Sequence, residues 1–171
     1  MAFKKPSAQV PVPESPDRLF RDLPRRKHPS LYDHQGQVLR TYVSEALRAS
    51  DVALQLPTGS GKTLVGLLLA EWRRRKYGER IVYLCPTRQL VSQVADEASD
   101  KYGLSVQAFT GSVKNYTPDA KAAYLDGNKV AVTTYSSLFN TNPFFEDPDI
   151  ILVDDAHASE NYIASQWTVH L

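Results

Sequence analysis

Leu56-Pro57-Thr58-Gly59-Ser60-Gly61-Lys62-Thr63 follows the short apolar run 52–56 and opens the apolar segment Leu64-Val65-Gly66-Leu67-Leu68-Leu69. Strand, glycine-bearing turn and helix in that order are the setting in which backbone N–H groups cradle a phosphate. Gly59 and Gly61 let the chain turn so that those groups point inward, and the helix N-terminus adds partial positive charge. Thr58, Ser60 and Gly61 line the same turn. Lys62 would reach the terminal phosphates, and the Thr63 hydroxyl would meet the magnesium ion that bridges them. The strict pattern of glycine, four residues and Gly-Lys-Thr is not met, because Leu56 stands in the place of its first glycine.

Downstream of this loop, short apolar runs alternate with longer amphipathic segments, which is the pattern of βαβ units. Strands are predicted at 52–56, 80–85, 105–109, 129–133 and 149–153, and helices near 32–49, 62–77, 87–101, 117–126 and 157–166. Several strand runs are apolar throughout, which suits a mostly parallel sheet covered on both faces. The expected fold is therefore α/β, doubly wound, with three layers. In such sheets ligands sit beyond the carboxyl ends of the strands. The run Ile150-Ile151-Leu152-Val153 ends there in Asp154-Asp155-Ala156-His157. Asp154 would hold magnesium and Asp155 would orient an attacking water; an acidic helix cap is the plainer reading of the same pair.

The 171 residues suit one domain; with 20 basic and 19 acidic residues, any nucleic-acid site must be local rather than a consequence of overall charge. Cys85 is the only cysteine, which excludes an internal disulfide and a thiolate metal cluster and is consistent with the cytoplasm. No run of about 18 apolar residues predicts a membrane span. Six of the eleven prolines fall in residues 1–30, which predicts an extended, flexible arm ahead of a domain covering 31–171. The basic run Arg73-Arg74-Arg75-Lys76 is read as a helix C-terminus satisfied by its cations, ahead of a nucleic-acid surface.

These motifs, in this order, resemble the first RecA-like motor domain of superfamily 2 DEAD/DEAH-type helicases over about residues 31 to 166. That group's phosphate loop does not demand a glycine at Leu56. Leu31-Tyr32-Asp33-His34-Gln35 resembles the motif whose glutamine, here Gln35, reads the adenine edge, which implies ATP with Mg2+ as the cofactors. Cys85-Pro86-Thr87-Arg88-Gln89 resembles the segment that grips a nucleic-acid backbone, implying contacts from Thr87 and Arg88. Thr110-Gly111 and Thr133-Thr134-Tyr135 match further strand-end positions, adding Thr110, Gly111 and Thr134 to the contacts with DNA or RNA. His157 occupies the position that couples nucleotide state to the nucleic-acid site. Where the family has Asp-Glu, this chain has Asp154-Asp155, one methylene shorter, and a misplacement of about 1 Å costs on the order of 100-fold in rate.

The resemblance implies a helicase or translocase that hydrolyses ATP, with Lys62, Asp154, Asp155 and His157 as its catalytic residues. No Ser-Ala-Thr motif is recognisable near Thr168-Val169-His170-Leu171, so the expectation is a domain cut before its last strand. A second RecA-like domain, or a partner chain, would supply arginine fingers; without them the rate falls by roughly 10³ to 10⁵. The alternative is a nucleotide-responsive nucleic-acid-binding subunit, of a restriction or defence assembly, with little ATP turnover. A kinase or GTPase would leave Gln35 and Pro86-Thr87-Arg88 without a role.

Overall fold

The computed structural model describes residues 11–167. Among them, four strands form one all-parallel sheet in the order β2-β3-β1-β4, where β1 is Ile81–Cys85, β2 Val106–Ala108, β3 Val130–Thr134 and β4 Ile150–Val153. The helices are α1 Pro16–Leu19, α2 Asp33–Thr41, α3 Lys62–Tyr77, α4 Arg88–Asp96, α5 Pro118–Leu125, α6 Tyr135–Leu138 and α7 Ala156–Trp167. Widened turns at Tyr42–Ala46 and Glu97–Lys101 extend α2 and α4.

The central strands β1 and β3 are buried along their whole length, yet their side chains still alternate between two cores. Ile81, Tyr83, Cys85, Val130 and Val132 join α2, α3 and α4 on one face. Val82, Leu84 and Ala131 join an aromatic group on the other, where Phe109 lies 5.3 Å from Phe145 and Tyr124 lies 5.2 Å from Phe145, ring centre to ring centre. A layer on each face excludes water from the backbone ladder, which is why these strands read as apolar runs.

Two expectations are corrected. Residues 52–56 form no strand: they run as irregular backbone, and Val52 is exposed. A strand exists only by pairing, and no neighbour lies beside this run among the described residues. The edge strand β4 likewise has one partner, β1, and exposes Ile151 and Val153.

The second correction concerns the N-terminal arm. Of its residues, 1–10 lie outside the described portion, but 16–22 form a helical turn whose Leu19 and Phe20, with Leu23 after it, are buried in the main core. Pro16 sits in the first turn of α1, where its fixed φ favours a helix and its missing N–H costs nothing. Burying each such apolar side chain stabilises by roughly 1.5 to 3 kcal/mol, which offsets much of the conformational entropy lost in ordering the segment.

The basic run at the end of α3 is consumed by the fold. Glu71, 1% exposed, accepts two hydrogen bonds from Arg74 at 2.9 Å and one from Arg75 at 2.7 Å. Arg73 forks onto Glu79 with both contacts at 2.6 Å, and also bonds Tyr42, so its guanidinium is held charged. Lys76 bonds Glu14 and lies over the Trp72 ring. Replacing Glu71 by alanine leaves two arginines without their buried acceptor and is expected to cost about 2 to 3 kcal/mol, allowing for their partial exposure. A shift in the urea midpoint at unchanged slope would show it, and a shift corresponding to under about 0.5 kcal/mol would contradict it.

Candidate functional site

The phosphate loop takes the geometry its glycines permit. Gly59 and Gly61 have φ of +74° and +76°, left-handed values that side chains rarely adopt. Ser60 N–H donates to the Pro57 carbonyl at 3.2 Å, closing a turn, and Gly61 caps α3 so that Lys62 and Thr63 begin the helix. Lys62 is exposed. The Ser60 hydroxyl is buried without a hydrogen-bond partner, a polar atom that a phosphate oxygen would satisfy.

The first turn of α2 packs directly on this loop. Gln35 Nε2 donates to the Ser60 carbonyl at 2.8 Å, while its Oε1 accepts from the Tyr32 N–H at 3.0 Å. His34 Nε2 approaches the same carbonyl at 3.2 Å, a donor when that nitrogen carries the ring proton. Gln35 is 3% exposed, and a Cβ at Gly61 would collide with its amide. One donor hydrogen of that amide remains for a ligand. A cleft of about 250 Å³ opens between loop and arm, lined by Lys27, His28, Tyr32, Gln35, Gly59 and Thr63. Its exposed aromatic Tyr32 stacks on His34, with ring centres 5.7 Å apart. A larger hollow of about 490 Å³, sharing Glu97 with this cleft, is walled by Gln93, Asp96, Glu97, Asp100 and Lys101, and its three carboxylates against one ammonium do not suit phosphate.

At the end of β4, Asp154 continues the ladder by donating its N–H to the Leu84 carbonyl at 3.1 Å. Its Oδ1 accepts from the Tyr83 hydroxyl at 2.6 Å. Burial, with the neighbouring Asp154 charge, holds that phenol protonated well above its ordinary range. The Thr63 side chain lies beside the same phenol oxygen, so Tyr83 joins the acidic strand end to the phosphate loop. Burial, reinforced by the Asp154 charge, also pushes the Cys85 thiol up to about 12, leaving it protonated and inert.

Asp155 is exposed, and its Oδ1 accepts from the N–H groups of His157 and Ala158 at 3.1 and 3.2 Å, the cap of α7. The Tyr135 hydroxyl donates to its carbonyl at 2.9 Å. His157 is exposed on the first turn of that helix. Thr87 caps α4 by accepting from Leu90 N–H, with Arg88 exposed beside it. Thr110 and Gly111 are exposed after β2, and Thr134 meets Ser136 and Ser137 at 3.0 and 3.1 Å after β3. All these groups follow carboxyl ends of strands.

His34 and Tyr135 lie inside motifs read from the sequence without a role of their own, and Tyr83 lies in none. Tyr83 reads there as one more apolar strand residue, and nothing local signals that its hydroxyl finds Asp154, 71 positions on.

A glycine-bearing turn opening a helix, with an aspartate at the end of a parallel strand, is the arrangement that nucleotide-binding α/β domains of the phosphate-loop class share. Residues 33–170 match the DEAD/DEAH box helicase family, and the chain belongs to it. It is 28% identical over 147 residues to the ATP-dependent DNA helicase Hel308 of Pyrococcus horikoshii, covering 82% of this chain and 19% of that protein. It is 40% identical over 91 residues to the ATP-dependent RNA helicase SrmB of Haemophilus influenzae, covering 48% of this chain and 21% of that protein. The chain thus spans about a fifth of the length of either relative. The crystal structure of the UvsW helicase from bacteriophage T4 superposes with a TM-score of 0.60 at 23% identity, over 81% of this chain and 48% of that one, which shows the fold. No helix among the described residues is long and apolar enough to cross a membrane.

Proposed function

We propose that this chain is the ATP-binding motor domain of an ATP-dependent nucleic-acid helicase or translocase. The observation that carries the reading is the meeting of Thr63, at the start of α3, and Asp154, at the end of β4, around the Tyr83 hydroxyl. A hydroxyl and a carboxylate are hard oxygen donors of the kind magnesium takes alongside substrate phosphates. Together with the unpaired Ser60 hydroxyl they fit a magnesium nucleotide. Bound there, the ion would neutralise charge between the β- and γ-phosphates.

Thr58, Gly59, Ser60 and Gly61 would present backbone N–H groups to the phosphates, with Lys62 as the point charge. Gln35 would offer its remaining amide hydrogen to the adenine, in the cleft that Tyr32 borders. Asp155 would orient the attacking water through Oδ2, since Oδ1 is engaged in capping α7. That divided duty and the short side chain favour slow turnover by the isolated domain. His157 would link this centre to a nucleic-acid track crossing Thr87, Arg88, Thr110, Gly111 and Thr134. The track is DNA or RNA; relatives named for each occur. A second RecA-like domain, in a longer chain or a partner, would bring the arginine fingers. The cytoplasm is the proposed setting. A nucleotide-responsive subunit without turnover finds no support in the relatives, since all three described above are named helicases.

Competition of ATP and GTP against a fluorescent adenine nucleotide tests the assignment. ATP should bind at least about tenfold tighter, because a hydrogen-bonding site rejects a base that leaves its polar groups unpaired. Equal affinity, or a preference for GTP, would remove Gln35 from base recognition and weaken the family-based mechanism with it.

A further inference from the structure

We propose that Tyr83 is a positioning residue for the metal: its phenol fixes the Asp154 carboxylate against the phosphate-loop helix. The inference rests on the nucleotide reading above and adds a residue to it. Tyr83 lies mid-sheet, paired with Val132 of β3 and Leu152 of β4, and is 2% exposed, so it does not itself meet solvent or ligand. Its side chain runs along the buried face below α3 to reach Asp154, two residues past its β4 partner on the same face of that strand.

The approach depends on Gly66. A Cβ there would stand 2.9 Å from Tyr83 Cε2 and 3.3 Å from its hydroxyl oxygen, so the helix comes this close to the ring only because that position has no side chain. Glycine inside a helix costs about 1 kcal/mol relative to alanine, and the close packing of the tyrosine against α3 accounts for its use here.

With one carboxylate oxygen held by a short hydrogen bond, rotation of the Asp154 side chain is restricted and Oδ2 is left for a ligand. The Thr63 side chain beside the same phenol oxygen places both hard donors around one fixed point. Outer partners of this kind orient metal ligands before the ion arrives, and removing them typically weakens metal binding by roughly 10- to 100-fold.

The test uses the full chain and Mn2+ as a paramagnetic stand-in for Mg2+. Bound metal is counted by electron paramagnetic resonance in the presence of saturating ADP, and ADP affinity is measured separately in EDTA. Tyr83→Phe keeps the ring and removes the hydroxyl. It should weaken Mn2+ binding roughly tenfold, the lower end of that range, and leave ADP affinity in EDTA within about twofold. Unchanged or tighter Mn2+ binding overturns the role, and so does an equal loss of ADP affinity in EDTA, which marks general damage to the fold. Asp154→Asn and Lys62→Ala are run alongside. If neither alters metal or nucleotide binding, the nucleotide reading itself fails; if both do and Tyr83→Phe does not, only the role of Tyr83 is lost.

Discussion

Replacing Lys62 by alanine is expected to lower affinity for ATP with magnesium roughly 100-fold, about 2.7 kcal/mol, as suits the loss of a charged donor to phosphate. The fold should be untouched. Lys62 is exposed at the start of α3 and contributes nothing to the core, and alanine is the better helix former at that position. Calorimetric titration should therefore show lost binding in a protein with an unaltered melting temperature. An affinity within threefold of the native value would show that the turn at residues 57–61 is only the entry to a buried helix. Arginine is not a neutral substitute, because its planar fork is wider than an ammonium and would have to fit among the inward N–H groups.

A second large effect is expected far from the loop. Trp72 is completely buried on α3, its Nε1 donates to the Pro13 carbonyl at 2.8 Å, and Tyr77 meets its ring edge-on at 5.6 Å. Trp72→Ala should cost about 4 kcal/mol, within the range for emptying such a site. For a domain of this size that lowers the melting temperature by roughly 10 °C. The same change releases the clasp on the N-terminal segment, so limited proteolysis should begin to cut near residues 11–23 while α3 survives. Trp72→Phe separates the two contributions: it keeps most of the burial and loses the hydrogen bond, worth about 1 kcal/mol. If Trp72→Ala melted within about 2 °C of the native protein, the ordered N-terminal segment would be incidental to stability.

That segment also shows where sequence reasoning stops. Pro11, Pro13 and Pro16 suggested an arm without structure, because proline is judged by the hydrogen bonds it cannot make. Leu19, Phe20 and Leu23 reverse that judgement only through a pocket built by distant residues. By contrast, α3 was legible to its ends. Gly61 and Gly78 bracket it, both at positive φ, and such stops are local properties of the backbone. The runs that became β1, β3 and β4 were legible for a different reason, since apolar continuity reflects burial on two faces. Residues 52–56 had the same composition but lacked a pairing neighbour, and pairing is not a local property.

Within the candidate site, the loop glycines and Asp154 could be found by pattern. The Gln35 contact with the Ser60 carbonyl and the Tyr83 contact with Asp154 could not, for they join segments 25 and 71 residues apart.

The outer edge of β4 carries a consequence for how the protein behaves in concentrated solution. Every second amide along that strand faces away from β1, and Ile151 and Val153 stand uncovered at 43% and 39% exposure. Among the described residues no strand pairs with those amides, and open amides beside branched apolar side chains are a template for cross-strand aggregation. Those outward amides should trade their hydrogens for deuterium faster than the amides of β1, which is hydrogen-bonded along both edges. Turbidity should grow with concentration, and a lysine in place of Ile151 should suppress it.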